Sequence, residues 1–237
     1  MTGYRTLDPA KIIATAEALE LRVAERFPES GLRKVAAELV SLSRDLTGTA
    51  KALEAPIWWL RALIGFAILA GGSVFLFVGT FLSFDRISTG AFDFVQGIEA
   101  SLNTLILAAL GFLALVRAEE RIKRKRVFRA LHGLRSLIHV IDMHQLTKDP
   151  VVLSANFKPT ANSPARITNK ADLARYLDYC SEMLSITGKL AALFAQSVND
   201  DVVVDAVNDI ESLGSNLSRK IWQKIMMIED TARTKAG

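Results

Sequence analysis

IWWLRALIGFAILAGGSVFLFVGTFLSF, Ile57 to Phe84, decides how this chain is read. After Arg61 it runs uncharged for about 23 residues, close to what a helix needs to cross the hydrocarbon core of a bilayer. Arg61 lies one turn inside, and its aliphatic stem lets the guanidinium reach back to the interface. Trp58 and Trp59 stand at one end and Phe81 and Phe84 at the other, where aromatic rings favour the headgroup region. The core helix of a soluble protein seldom carries so long an apolar run.

A second apolar stretch runs from Ala100 to Val116. At about 17 residues it meets the lower limit for a span, so Ile98 and residues past Arg117 are expected to extend it. The sequence therefore predicts a transmembrane hairpin over 56–117, with spans at 57–84 and 98–117 and a short external loop at 85–97.

Charge sets its orientation. The expected loop region carries Asp85, Arg86, Asp93 and Glu99. Past the second span come Arg117, Arg121, Lys123, Arg124, Lys125, Arg126, Arg129 and Arg135, against Glu119 and Glu120. The positive-inside rule then places both termini in the cytoplasm of a multi-pass bacterial inner-membrane protein. Cys180 is the only cysteine, which excludes an internal disulfide and suits a reducing compartment. About 55 residues of helical pattern precede the first apolar run and the N-terminus has no short hydrophobic region, so a cleavable signal is not expected.

The 237 residues carry a net charge of +4, and half are hydrophobic. Much of the positive excess, Arg121 and Lys123 to Arg126 with Arg129, falls beside the second span. There it determines topology and attracts anionic lipid headgroups, at about 1 kcal/mol per residue near the surface. Nucleic acid is not an expected partner.

The remainder reads as helices needing partners. Residues 1–55 form an N-terminal arm. Asp8 caps a helix with Pro9 in its first turn, and Ile12, Ala16, Leu19 and Val23 share a face. After Pro28, Ser30 and Gly31 the stripe resumes through Leu32, Val35, Leu39, Leu42, Leu46 and Leu53. Residues 118–146 continue the second span as a cytosolic helix, with Val127, Leu131, Leu134, Ile138 and Ile141 on one side. Pro150, Pro159 and Pro164 make 147–168 a crossing without regular helix, which either packs across the bundle or serves as a flexible linker or binding segment. Residues 169–237 predict an antiparallel helical hairpin with Asn199 and Asp200 at its turn. One stripe runs from Leu173 to Phe194, and a nearly heptad, coiled-coil-like rhythm runs from Val203 to Ile228.

Two constellations are candidates for function. Gly65, Gly72 and Gly79 recur every seven residues, and Ser101, Thr104, Ala108 and Gly111 share a face of the second span. Both allow close backbone approach, within the hairpin or between copies of the chain. All three histidines fall between His132 and His144. On a helix, His132, Arg135, His139 and Asp142 form one polar stripe, with His144 projecting elsewhere. His132 and His139 lie about 10.5 Å apart along the axis, too far to share one ion. His139 with Asp142 would need further ligands such as Asp178, Glu182, Asp205 or Asp209, and no spacing compels that site. Salt bridges and hydrogen bonds are the plainer role for these four residues.

There is no phosphate-binding glycine loop, HExxH, Cys-His ligand array or nucleophile elbow, so no catalytic residue, metal or cofactor is assigned. In layout, two spans flanked by cytosolic helices resemble the two-span effector modules of bacterial nucleotide-signalled defence systems, and an oligomeric pore-forming effector or ion channel is one reading. The sequence favours an all-α membrane protein acting as a non-enzymatic interaction or scaffold protein, homo-oligomeric and with a cytosolic protein partner. The remaining reading is a membrane-tethered enzyme or metal sensor using His139 and Asp142.

Overall fold

The computed structural model describes residues 6–81, 91–154, 156–164, 166–198 and 200–233, without side-chain detail at 74–81, 91–98, 100–101 and 230–233. Phe84 and Asn199 lie outside the described residues. Those described contain helix and no strand: α1 (Pro9–Arg26), α2 (Gly31–Glu54), α3 (Trp58–Phe81), α4 (Ala91–Leu146), a 3-10 turn (Pro150–Leu153), α5 (Lys170–Ser197) and α6 (Asp201–Arg233). They divide into two compact units. Residues 1–54 and 126–237 form one, residues 55–125 the other, and α4 contributes to both without a break.

The first unit is a helical bundle. Asp8 starts α1 by accepting the Ala10 N–H at 3.0 Å, and the chain leaves the helix at Phe27, ahead of Pro28. Ile12, Ala16, Leu19 and Val23 are all buried, as their spacing requires. They join one core with Leu32, Leu39 and Leu53 of α2, Val127, Leu134, Ile138 and Ile141 of α4, and the apolar faces of α5 and α6. Each such leucine or isoleucine contributes about 1.5–3 kcal/mol relative to exposure, which is what holds the helices together.

Side-chain pairs fix the directions. Ser181 and Ser218 hydroxyls meet at 2.6 Å and Gly188 faces Glu211, so α5 and α6 run antiparallel. Arg22 pairs with Glu182 and Arg26 with Asp172, which makes α1 antiparallel to α5. Gly31 faces His144 and Gly133 faces Leu42, which makes α2 antiparallel to α4. Asp200 starts α6 by accepting the Val202 N–H at 3.0 Å. The crossing between α4 and α5 packs on this core: Pro150 is buried, and Val152, Leu153 and Ile167 lie against the cluster.

In the second unit, Glu119 of α4 accepts from the Ile57 N–H at 3.4 Å, from Arg61 Nε at 3.4 Å and from Lys123 Nζ at 3.2 Å. This sets the start of α3 beside the point where the basic run of α4 begins. Burial of Glu119 opposes its charge, but Lys123, the Ile57 N–H and Arg61 together hold its carboxyl below the usual range. Of the connection expected at 85–97, residues 91–97 are helical in α4, and 85–90 lie outside the described residues. Gly97 alone does not stop a helix, since its cost of about 1 kcal/mol is spread over a long element with no proline nearby.

Candidate functional site

Two helices are long and apolar enough to cross a membrane. In α4 every residue from Leu102 to Ala114 is exposed, including Leu105 at 67 %, Leu107 at 70 % and Leu110 at 58 %. In α3, Trp58 is 74 % exposed, Phe66 70 % and Leu69 72 %. Core helices of a soluble protein would bury these residues. Contiguous apolar surface on this scale calls for a cover from outside the chain, either lipid or protein.

Gly65, Gly72 and Gly111 have no heavy atom within 4 Å of where a Cβ would stand. Their small size is not consumed by packing inside the hairpin. Gly79 and Ser101 lie where side-chain surroundings are not described, and Ala108 is exposed.

The cations divide by location. Within the bundle Arg22, Arg26, Arg44 and Arg175 each meet a carboxylate within 3.0 Å, and Arg135 reaches Asp209 at 4.0 Å. Among the described residues, Arg121, Lys125, Arg126 and Arg129 have no carboxylate partner, while Lys123 is bound to Glu119. Arg126 and Arg129 border a groove of about 410 Å³ between α2 and α4, floored by Leu46 and Ala130 with Thr49 on its wall. A groove with an apolar floor and free guanidiniums at its edge suits an anionic amphiphile.

The polar stripe expected on α4 is spread along the surface of the bundle. His132, Arg135 and His139 are exposed, and Asp142 is half-buried. Arg135 turns to Asp209, whereas Asp142 accepts from Gln145 Nε2 at 2.6 Å. No group of three or more His, Cys, Asp or Glu side chains gathers at one point among the described residues.

The histidine that packs into the bundle is His144, which is half-buried. Its ring fills the space left by Gly31, where a Cβ would come within 2.5 Å of His144 Cε1. Its Nδ1 lies 3.4 Å from the Tyr176 hydroxyl, and Lys148 Nζ sits 4.9 Å above the Tyr176 ring. Burial first, and the Lys148 charge second, lower the His144 pKa below its ordinary value. Lys148 is itself lowered, by burial and by the nearby Arg166. The Tyr176 hydroxyl is raised above the tyrosine range by burial.

Cys180, fully enclosed one turn further along α5, is pushed up to about 12 by burial, although Lys148 and Lys224 pull the other way. It therefore stays a protonated thiol and a poor nucleophile. Lys224 of α6 donates to Gln145, linking α6 to Gln145 and Asp142. Lys148 and Lys224 thus bring positive charge to this end of the bundle, beside a thiol that burial keeps protonated. Sequence patterning passes over it because His144, Tyr176 and Lys224 lie on three different helices. The one available signal is that Gln145, His144 and Lys224 fall at or beside the apolar seam.

The fold and its surfaces define an all-helical protein that joins a helical bundle to two apolar helices of membrane-crossing length. Compared with protein families, curated proteins and solved structures, the chain matches none.

Proposed function

We propose that this chain is a multi-pass protein of the bacterial inner membrane, with both termini in the cytoplasm. Its bundle is a non-enzymatic interaction or scaffold module, and its spans associate with further copies of the chain. The observation that carries this reading is the uncovered apolar surface of α3 and of α4 from Leu102 to Ala114. Lipid is the cover that matches its length and its lack of charge. Arg121, Lys125, Arg126 and Arg129, which have no carboxylate partner among the described residues, follow that surface along α4, where anionic headgroups would meet them. The open backbone at Gly65, Gly72 and Gly111 suits close approach by a helix of a second copy.

Two measurements test this. Single cysteines at Ser88 and Ser154 in a Cys180→Ala background should differ in intact cells. An impermeant maleimide should label position 88 from outside and leave position 154 unlabelled, and equal labelling overturns the topology. Native mass spectrometry of the gently solubilised protein reports copy number. A dimer or small oligomer with a stoichiometric protein partner supports the scaffold reading. A ring of four or more that passes ions in bilayers would move the assignment to a pore-forming effector or channel. Metal that co-purifies and is lost in His139→Ala or Asp142→Ala would move it to a metal sensor.

A further inference from the structure

Arg166 lies in the crossing just ahead of α5. Its guanidinium stacks on Phe157, with Cζ 5.2 Å from the ring centroid, while its Nε and Nη1 are buried with no hydrogen-bond partner among the described residues. Lys170 Nζ, in the first turn of α5, is buried in the same condition. Lys148 is close enough to Arg166 to feel its charge, and it rests on Tyr176.

The carboxylates around them are engaged elsewhere. Asp172 pairs with Arg26, Asp178 with Arg175 and Glu182 with Arg22. Asp149 caps the 3-10 turn and faces Lys224, and Asp142 holds Gln145. A buried cationic donor without an acceptor is strongly unfavourable, and an external anion would answer it with both charge and acceptor oxygens. The N-terminus of α5, capped by Asn169, adds partial positive charge on the same side. The crossing is also longer than a bare connector between two packed helices needs.

We propose that Lys148, Arg166 and Lys170 form a binding site for a small phosphate-type anion, with the crossing segment as its clasp and Phe157 and Tyr176 as its apolar walls. The site goes beyond the membrane-scaffold reading and does not depend on it, and only the source of the anion is argued from that reading. The anion is a free solute: His144 lies roughly 27 Å along α4 from Arg126, out of reach of a headgroup held there.

The test uses the full-length protein in detergent at constant ionic strength. Thermal unfolding is followed in chloride, in inorganic phosphate, in a nucleoside monophosphate and with a soluble short-chain phospholipid. Phosphate or the nucleotide should raise Tm saturably above chloride. Arg166→Gln and, separately, Lys148→Gln should each weaken that response at least tenfold. In chloride alone Arg166→Gln should melt no lower than wild type, because it removes a buried charge that nothing answers. Identical curves in chloride and phosphate would overturn the proposal. So would an equal loss of Tm for Arg166→Gln in both salts, which would make the guanidinium purely structural. A response to the phospholipid alone would refute the free-solute source.

Discussion

Lys224 of α6 donates to Gln145 of α4 twice, to the side-chain Oε1 at 2.6 Å and to the main-chain carbonyl at 3.0 Å. That carbonyl is one of the last in α4, where a cation is favoured, and it also accepts the Lys148 N–H at 3.0 Å, so the acceptor that depends on Lys224 is Oε1. Gln145 is 3 % exposed, so its amide depends on protein partners. Lys224→Met should cost about 1–3 kcal/mol in denaturant unfolding, mostly through the acceptor left bare. The double variant Gln145→Leu/Lys224→Met should recover much of the loss, and additive losses would mean the contact carries little.

His144 makes the bundle acid-sensitive. Its folded pKa lies below the ordinary 6.5, so between the two values the unfolded chain binds the proton more readily. Stability is then fully present above about pH 6.5 and falls as pH drops through the folded pKa. Thermal melts from pH 7.5 to 5 should show this slope, and His144→Gln should flatten it. An unchanged slope in that variant would assign the acid response to other groups.

Gly31 and His144 share one space, and this sets the sign of a glycine substitution. Gly31 has no positive φ, so alanine suits the backbone and on its own would favour the helix. Its Cβ would nevertheless stand 2.5 Å from the imidazole. Gly31→Ala should lower Tm in the wild type and raise it, or leave it unchanged, in a His144→Ala background. The double-mutant cycle measures the coupling directly.

Cys180 has no exposed surface, and its thiol is pushed up to about 12. Under native conditions it should resist iodoacetamide at pH 8 for as long as the bundle stays folded, then react fully in denaturant. Rapid native labelling would mean that α5 opens locally.

Arg126 and Arg129 border the groove between α2 and α4 without a carboxylate partner among the described residues. Arg126→Gln/Arg129→Gln should reduce anionic lipid retained in native mass spectra, with a loss of about 1 kcal/mol per charge that shrinks as salt rises. Unchanged retention would leave these arginines as topology determinants only.

Much of the bundle was legible because helix signals are local. Asp8 before Pro9 starts a helix whatever lies elsewhere, and the spacing of Ile12, Ala16, Leu19 and Val23 names the buried face before any partner is known. Tryptophans followed by uncharged residues mark α3 in the same way. His132, Arg135, His139 and Asp142 all lie on α4, but position on a helix does not say what lies opposite. Opposite Arg135 lies Asp209, and the histidine packed into the bundle is His144.

The sequence by itself determined that the chain is helical, which faces of its helices are apolar, and which two stretches are long enough to cross a bilayer, because each follows from periodicity or run length within one segment. Only the tertiary structure decided that Gly31, His144, Lys148, Tyr176 and Lys224 belong to one end of one bundle. It also decided that Nε and Nη1 of Arg166 and Nζ of Lys170 are buried without hydrogen-bond partners among the described residues. Those facts depend on side chains separated by up to about 190 positions, and on which neighbours strip them of water.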